Sequence, residues 1–216
     1  MNETWTWHPQ PDDDGRKVRL HAPSCEANLD GLADPLAALT FVPGSVCDGM
    51  LGDVPLATCA RSTVDDACRR AGAAPAFDEP PFALPADKHA AAGAVVREAD
   101  GRLWLVAPSN AFGGYTATFP KGRVEPGLTL RATAIREVWE ESGLHVELTA
   151  WLGDFARTQT FTRFYVARRI GGHPARMGWE SQAVHLVTPE QARLLLNRET
   201  DRAVLAALLG EGNGPV

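Results

Sequence analysis

The chain has no apolar run near the roughly eighteen residues that a membrane helix needs, so no span is expected. Its first fifteen residues lack the apolar stretch of a secretory signal; Trp5 and Trp7 are followed instead by three aspartates. A cytoplasmic protein is therefore expected. No C-x-x-C pair joins the four cysteines, Cys25, Cys47, Cys59 and Cys68, so reduced, buried thiols are a simpler reading than zinc or disulfides. The six histidines are scattered without metal-ligand spacing. Basic charge is not in excess either: the net charge of −6 argues against a nucleic-acid partner.

What is present is ordinary globular material, 44% hydrophobic and 22% charged over 216 residues, enough for one domain and an appendage. Charge divides the chain unevenly. Residues 1–87 hold 14 acidic against 6 basic side chains, whereas residues 88–216 hold 13 against 15 and would receive a phosphate-rich ligand more easily. The first part reads as an N-terminal extension of unclear fold, with a short strand at 18–21 and a helix at 64–71 capped by Thr63. Prolines 75, 80, 81 and 85 mark a linker, which sets a boundary near residues 85–89.

Beyond it the periodicity sharpens. Strands are expected at 90–97 and 102–107, joined as a hairpin by Ala-Asp-Gly, and at 146–155, 160–168 and 182–187. Helices are expected at 129–142, 189–196 and 201–209, the second opened by Pro189. That order gives an α/β fold with a mixed sheet flanked by helices.

The chemistry is concentrated at 122–144, GRVEPGLTLRATAIREVWEESGL. Thr129 is placed to cap a helix and Gly143 to end it. Glu137, Glu140 and Glu141 then share one face, while Ile135, Val138 and Trp139 face the sheet. Three carboxylates near a helix C-terminus oppose both one another and the helix dipole. A hard divalent cation with oxygen ligands, Mg²⁺ or Mn²⁺, would satisfy them; a solvated acidic face is the plain alternative.

This segment resembles the Nudix box, Gly-x5-Glu-x7-Arg-Glu-U-x-Glu-Glu-x-Gly-U with U aliphatic, through Gly122, Arg136, Glu137, Val138, Glu140, Glu141, Gly143 and Leu144. One position departs: Leu128 stands where the pattern has its first glutamate, and Glu125 lies three residues earlier in a Glu-Pro-Gly turn. The resemblance implies an α/β/α sandwich and a water attack on a phosphoanhydride of a nucleotide-like substrate. It implies Glu140 and Glu141 as principal metal ligands, Glu137 as a further ligand or base, and Arg136 as the residue that holds the cluster.

Around the box, Phe119-Pro120-Lys121 resembles the entry of members acting on dinucleoside polyphosphates, so Lys121 would meet a phosphate or stand in solvent. Thr160 replaces a proline common in ADP-ribose hydrolases, and Phe161 and Thr162 stand near where the dinucleoside polyphosphate enzymes often carry a tyrosine, so the leaving group stays open. Glu180, before the last strand, would be an extra ligand, a general base or a surface carboxylate. Trp179 would stack on a base or pack inside. Arg157 and Arg163 would face phosphates or solvent. The extension would serve dimerisation, giving a homodimer, or shape the substrate pocket. Two other classes on the same fold are a non-catalytic nucleotide sensor and an isoprenyl diphosphate isomerase. The paired glutamates and acidic extension disfavour the first, and the missing His and Glu ligands the second.

Overall fold

Strands whose faces are both covered need apolar residues at nearly every position, and the two central ones have them. The computed structural model, which describes residues 6–21, 23, 24, 26, 29–46, 48–73, 76–109 and 114–211, places β4 at His89–Arg97 and β5 at Leu103–Pro108, each buried along most of its length. Three short strands precede them: β1 (Leu39–Phe41), β2 (Met50–Leu51) and β3 (Val54–Pro55). Four follow: β6 (Lys121–Arg123), β7 (Leu144–Ala156), β8 (Thr160–Gly172) and β9 (Ser181–Val187). The main sheet runs β1-β9-β5-β4-β8-β7, with β6 also paired to β4. The β4–β8 pair is parallel and the others antiparallel, so the sheet is mixed.

Helices cover both faces. On one lie α1 (Arg61–Ala73) and α2 (Leu130–Ser142), whose Val64, Cys68, Ile135 and Val138 join Trp104, Val146, Tyr165 and Val184 in one apolar core. On the other, α3 (Pro189–Leu195) and α4 (Glu199–Leu209) bring Ala192, Val204 and Leu205 against Val95, Phe119 and Phe164. This is the expected α/β/α sandwich. None of the helices is long and apolar enough to cross a membrane among the described residues.

The first third departs from expectation. Residues 18–21 form no strand; only an isolated bridge joins Trp7 to Arg19. Helix α1 starts at Arg61, so Thr63 lies inside it rather than capping it. The proline-rich stretch is laid along the sheet instead of hanging free. Phe77 packs on Tyr165 and Phe82 on Phe161, while the Pro80 carbonyl accepts from Arg163 at 2.9 Å. Prolines lack the N–H that a ladder requires, and the carbonyls of Phe77 and Pro80 are met by the side chains of Arg131 and Arg163. Strand β1 pairs with β9, and Arg169 clamps the β2–β3 hairpin through the carbonyls of Leu51, Val54 and Pro55. Residues Leu39, Phe41, Leu51 and Leu56 thus share the core of residues 88–211. Cys25 and Cys47 lie outside the described residues; Cys59 and Cys68 are free thiols.

Candidate active site

Helix α2 is fixed at both ends by its own sequence. The Thr129 hydroxyl accepts from the Ala132 N–H, and Gly143, at φ 71°, returns its N–H to the Trp139 carbonyl. Glu137, Glu140 and Glu141 consequently share the face turned to the loop at 120–123. The Lys121 N–H donates to Glu141 Oε2 at 3.2 Å. Gly122 lets the Glu137 carboxyl lie against the loop: a Cβ would stand 2.2 Å from its carboxyl carbon and push that side chain aside. Trp139 turns toward α1, partly exposed beneath Arg61, and not fully into the core.

The cations nearest the carboxylates are few. Arg136 bonds Glu125 at 2.6 Å and lies 3.5 Å from Glu137 and 3.7 Å from Glu140. Glu125 therefore meets Arg136 from the turn, whereas Leu128 packs against the core. Arg61 reaches Glu140 from α1 at 3.8 Å. These contacts do not balance the cluster. Burial, reinforced by Glu140 and offset by Arg136, raises Glu137 to about 7. Burial also raises Glu141, with Glu137 and Glu180 adding to the effect and Lys121 opposing it. Glu140 rises mainly through burial, against Arg136 and Arg61.

Glu180 reaches the same place by a backbone latch. The Gly178 N–H donates to the Glu140 carbonyl at 2.7 Å, and a Cβ on Gly178 would lie 2.4 Å from that oxygen. The Glu180 carbonyl in turn accepts from the Ser109 N–H at 2.7 Å. The loop before β9 is thereby held on the last turn of α2. Partial burial, then Asp13 and Glu140, pushes Glu180 upward.

A cleft of about 950 Å³ opens beside these groups, lined by Glu141, Glu180, Lys121, Trp179 and Arg157. Glu137, Glu140 and Arg136 are not part of its lining. Arg157 is largely committed: it pairs with the buried Asp201 and donates to the Tyr115 hydroxyl at 3.3 Å. Arg163 is elsewhere, 1% exposed and forked onto Asp154 by two bonds of 2.7 Å. Trp179 lines the cleft and donates Nε1 to Asp13 at 3.3 Å. Asp13, Arg61, Tyr115, Arg123 and Arg198 escaped the sequence reading, since each is placed by contacts across the chain and carries no local spacing.

A match to the NUDIX domain profile spans residues 87–208. The chain belongs to the Nudix hydrolase family. As a Nudix hydrolase it is a pyrophosphohydrolase, acting on a pyrophosphate linkage. A MutT-like protein of Streptomyces ambofaciens is 35% identical over 122 residues, covering 56% of this Nudix chain and 77% of the relative. A Rhodococcus erythropolis protein described as an uncharacterised Nudix hydrolase is 45% identical over 60 residues, 26% of this chain and 32% of that one. Among solved structures, a Nudix hydrolase from Nitrosomonas europaea superposes with a TM-score of 0.50 at 15% identity, over 60% of this chain and 93% of that chain. That similarity is one of fold.

Among the described residues, no three His, Cys, Asp or Glu side chains are gathered closely enough to hold a metal ion. The donor chemistry nevertheless fits one. The donor atoms that Glu137, Glu140 and Glu141 offer on this face are carboxylate oxygens, which suit a hard divalent ion. Glu137, Glu140 and Glu141 all resist ionisation here, as buried carboxylates short of positive charge do.

Proposed function

We propose that the protein hydrolyses a phosphoanhydride in a nucleoside diphosphate linked to a further group, with Mg²⁺ or Mn²⁺ held by Glu137, Glu140 and Glu141. The observation that carries this reading is the deficit of positive charge on the box face, where burial raises every carboxylate. When bound, the ion screens phosphate charge and makes water more acidic. Arg136 keeps Glu137 and Glu140 aligned. Glu180, on the cleft wall and free of an ion pair among the described residues, accepts the proton of the attacking water. Lys121 meets a phosphate as a point charge, and Trp179 offers a face to a base. Arg157 acts through Tyr115, whose hydroxyl it holds.

The extension shapes this site: Asp13 steadies Trp179, and Arg61 lies against Glu140. The working compartment in this reading is the cytoplasm. The test is hydrolysis of ADP-ribose, diadenosine polyphosphates, nucleotide sugars and nucleoside triphosphates with Mg²⁺, Mn²⁺ or a chelator, products separated by chromatography. Turnover is expected only with the divalent ion, and Glu180→Gln should lower kcat by roughly 10²-fold with little change in KM. Full turnover in chelator would overturn the metal assignment, and an unaffected Glu180→Gln would return the base to Glu137.

A further inference from the structure

Three cations face the cleft with no ion-pair partner among the described residues: Lys121, Arg123 and Arg198. Their neighbours are matched. Arg157 has Asp201, Arg202 has Glu199, and Arg163 has Asp154. Arg123 and Arg198 are exposed at the cleft, and Lys121 acts on Glu141 and Glu180, so the three concentrate positive charge beside the carboxylate end and favour an anion there.

Two of the three are organised around one ring. The Lys121 ammonium lies 5.3 Å and the Arg198 guanidinium 5.2 Å from the centre of Tyr115. That ring is itself built in. Its hydroxyl takes a bond from Arg157, and the loop carrying it is pinned to the segment carrying Arg198. Asn197 makes the pin: its Oδ1 accepts from the Thr116 N–H at 3.2 Å, and its Nδ2 donates to the Gly114 carbonyl at 2.7 Å. Gly114 leaves room for this, since a Cβ there would lie 2.8 Å from an Arg198 nitrogen. Stacking uses the face of a guanidinium and leaves its edge N–H groups to grip a phosphate two at a time. Lys121 is also the link to the chemistry, because its own N–H holds Glu141.

We propose that Tyr115, Lys121 and Arg198 form a receiving site for a phosphate beyond the scissile linkage, which makes nucleotides with three or more consecutive phosphates the preferred substrate class. This rests on the cleft being the substrate site, as the proposed function has it. A two-phosphate substrate delivers its charge to the carboxylate end and leaves Arg198 without a partner. A longer phosphate chain continues past Lys121 to Arg198. Arg198 then sets specificity without touching the reacting atoms.

The experiment compares wild type, Arg198→Ala and Arg198→Lys on diadenosine tetraphosphate and ADP-ribose with Mg²⁺. Calorimetric titration with inorganic tripolyphosphate and pyrophosphate, without divalent ions, runs beside it. Wild type should favour the tetraphosphate. Arg198→Ala should reduce the ratio of the two kcat/KM values about tenfold, through KM, and Arg198→Lys should recover part of it. Tripolyphosphate should bind wild type more tightly than pyrophosphate, and Arg198→Ala should erase the difference. A wild-type preference for ADP-ribose, a ratio unmoved by Arg198→Ala, or equal losses on both substrates overturns the proposal. If neither substrate turns over, the proposed function fails by itself, and the titrations still decide whether the phosphate site exists.

Discussion

Two populations of carboxylate occupy the buried parts of this molecule, and they differ in one respect. Glu98, Asp154 and Asp201 each meet an arginine: Arg169 at 2.6 Å, Arg163 at 2.7 Å and Arg157 at 2.5 Å. Glu137, Glu140 and Glu141 share Arg136 and the distant ends of Arg61 and Lys121, and all three are harder to ionise than a free glutamate. Matched charges hold sheet, hairpin and helices together. Unmatched ones are where the proposed function places its divalent cation. Burial alone distinguishes structure from chemistry poorly; the local balance of charge does it better.

The comparison breaks most directly at Arg169, which serves Glu98 and three carbonyls of the β2–β3 segment. Arg169→Ala should cost about 3–5 kcal/mol in urea unfolding, because it strands a buried carboxylate. Turnover should stay within a few-fold under conditions where the variant is folded. A loss below about 1 kcal/mol would mean the pair is not structural.

Glu141→Gln should do the reverse. It should lower kcat by about 10²-fold, while the thermal midpoint holds or rises, since a poorly balanced charge is removed. Near-normal turnover at saturating Mg²⁺ would place the chemistry elsewhere.

His185 is an intermediate case, a half-buried group kept neutral, bonded through Nδ1 to the Thr40 hydroxyl at 2.9 Å and with its pKa lowered to about 4 by burial. The unfolded chain takes up this proton near pH 6.5, the native one only near pH 4, so stability falls as pH drops through that window. Between pH 7.5 and 5.5 the loss should be about 1 kcal/mol in urea midpoints, and His185→Gln should remove that component. An equal pH slope in the variant would assign it to other groups.

The box was legible because its information is local. Glu137, Glu140 and Glu141 follow helical spacing, and Thr129 and Gly143 bound the helix in the sequence itself. Five of the six strands of residues 88–187 were legible for the same reason, to within a few residues at each end; β6, three residues paired to β4, was not, because it is too short to show a period. Tyr115, Arg198, Arg61 and Asp13 were not, because each is joined to the site by a partner far along the chain. Nor could Arg157 and Arg163 be told apart in sequence. Both lie at or near strand ends, and only the partners Asp201 and Asp154 divert them from solvent or phosphate.

The pairing of β1 with β9 has a consequence for how the molecule comes into being. Thr40 meets His185 across 145 residues, so the edge strand leaves the ribosome long before its partner exists. Until β9 is made, Leu39 and Phe41 have nowhere to be buried, and closing so long a loop is a late, slow event. Because β9 begins directly after Glu180, the step that shelters β1 also settles the Glu180 side of the cleft.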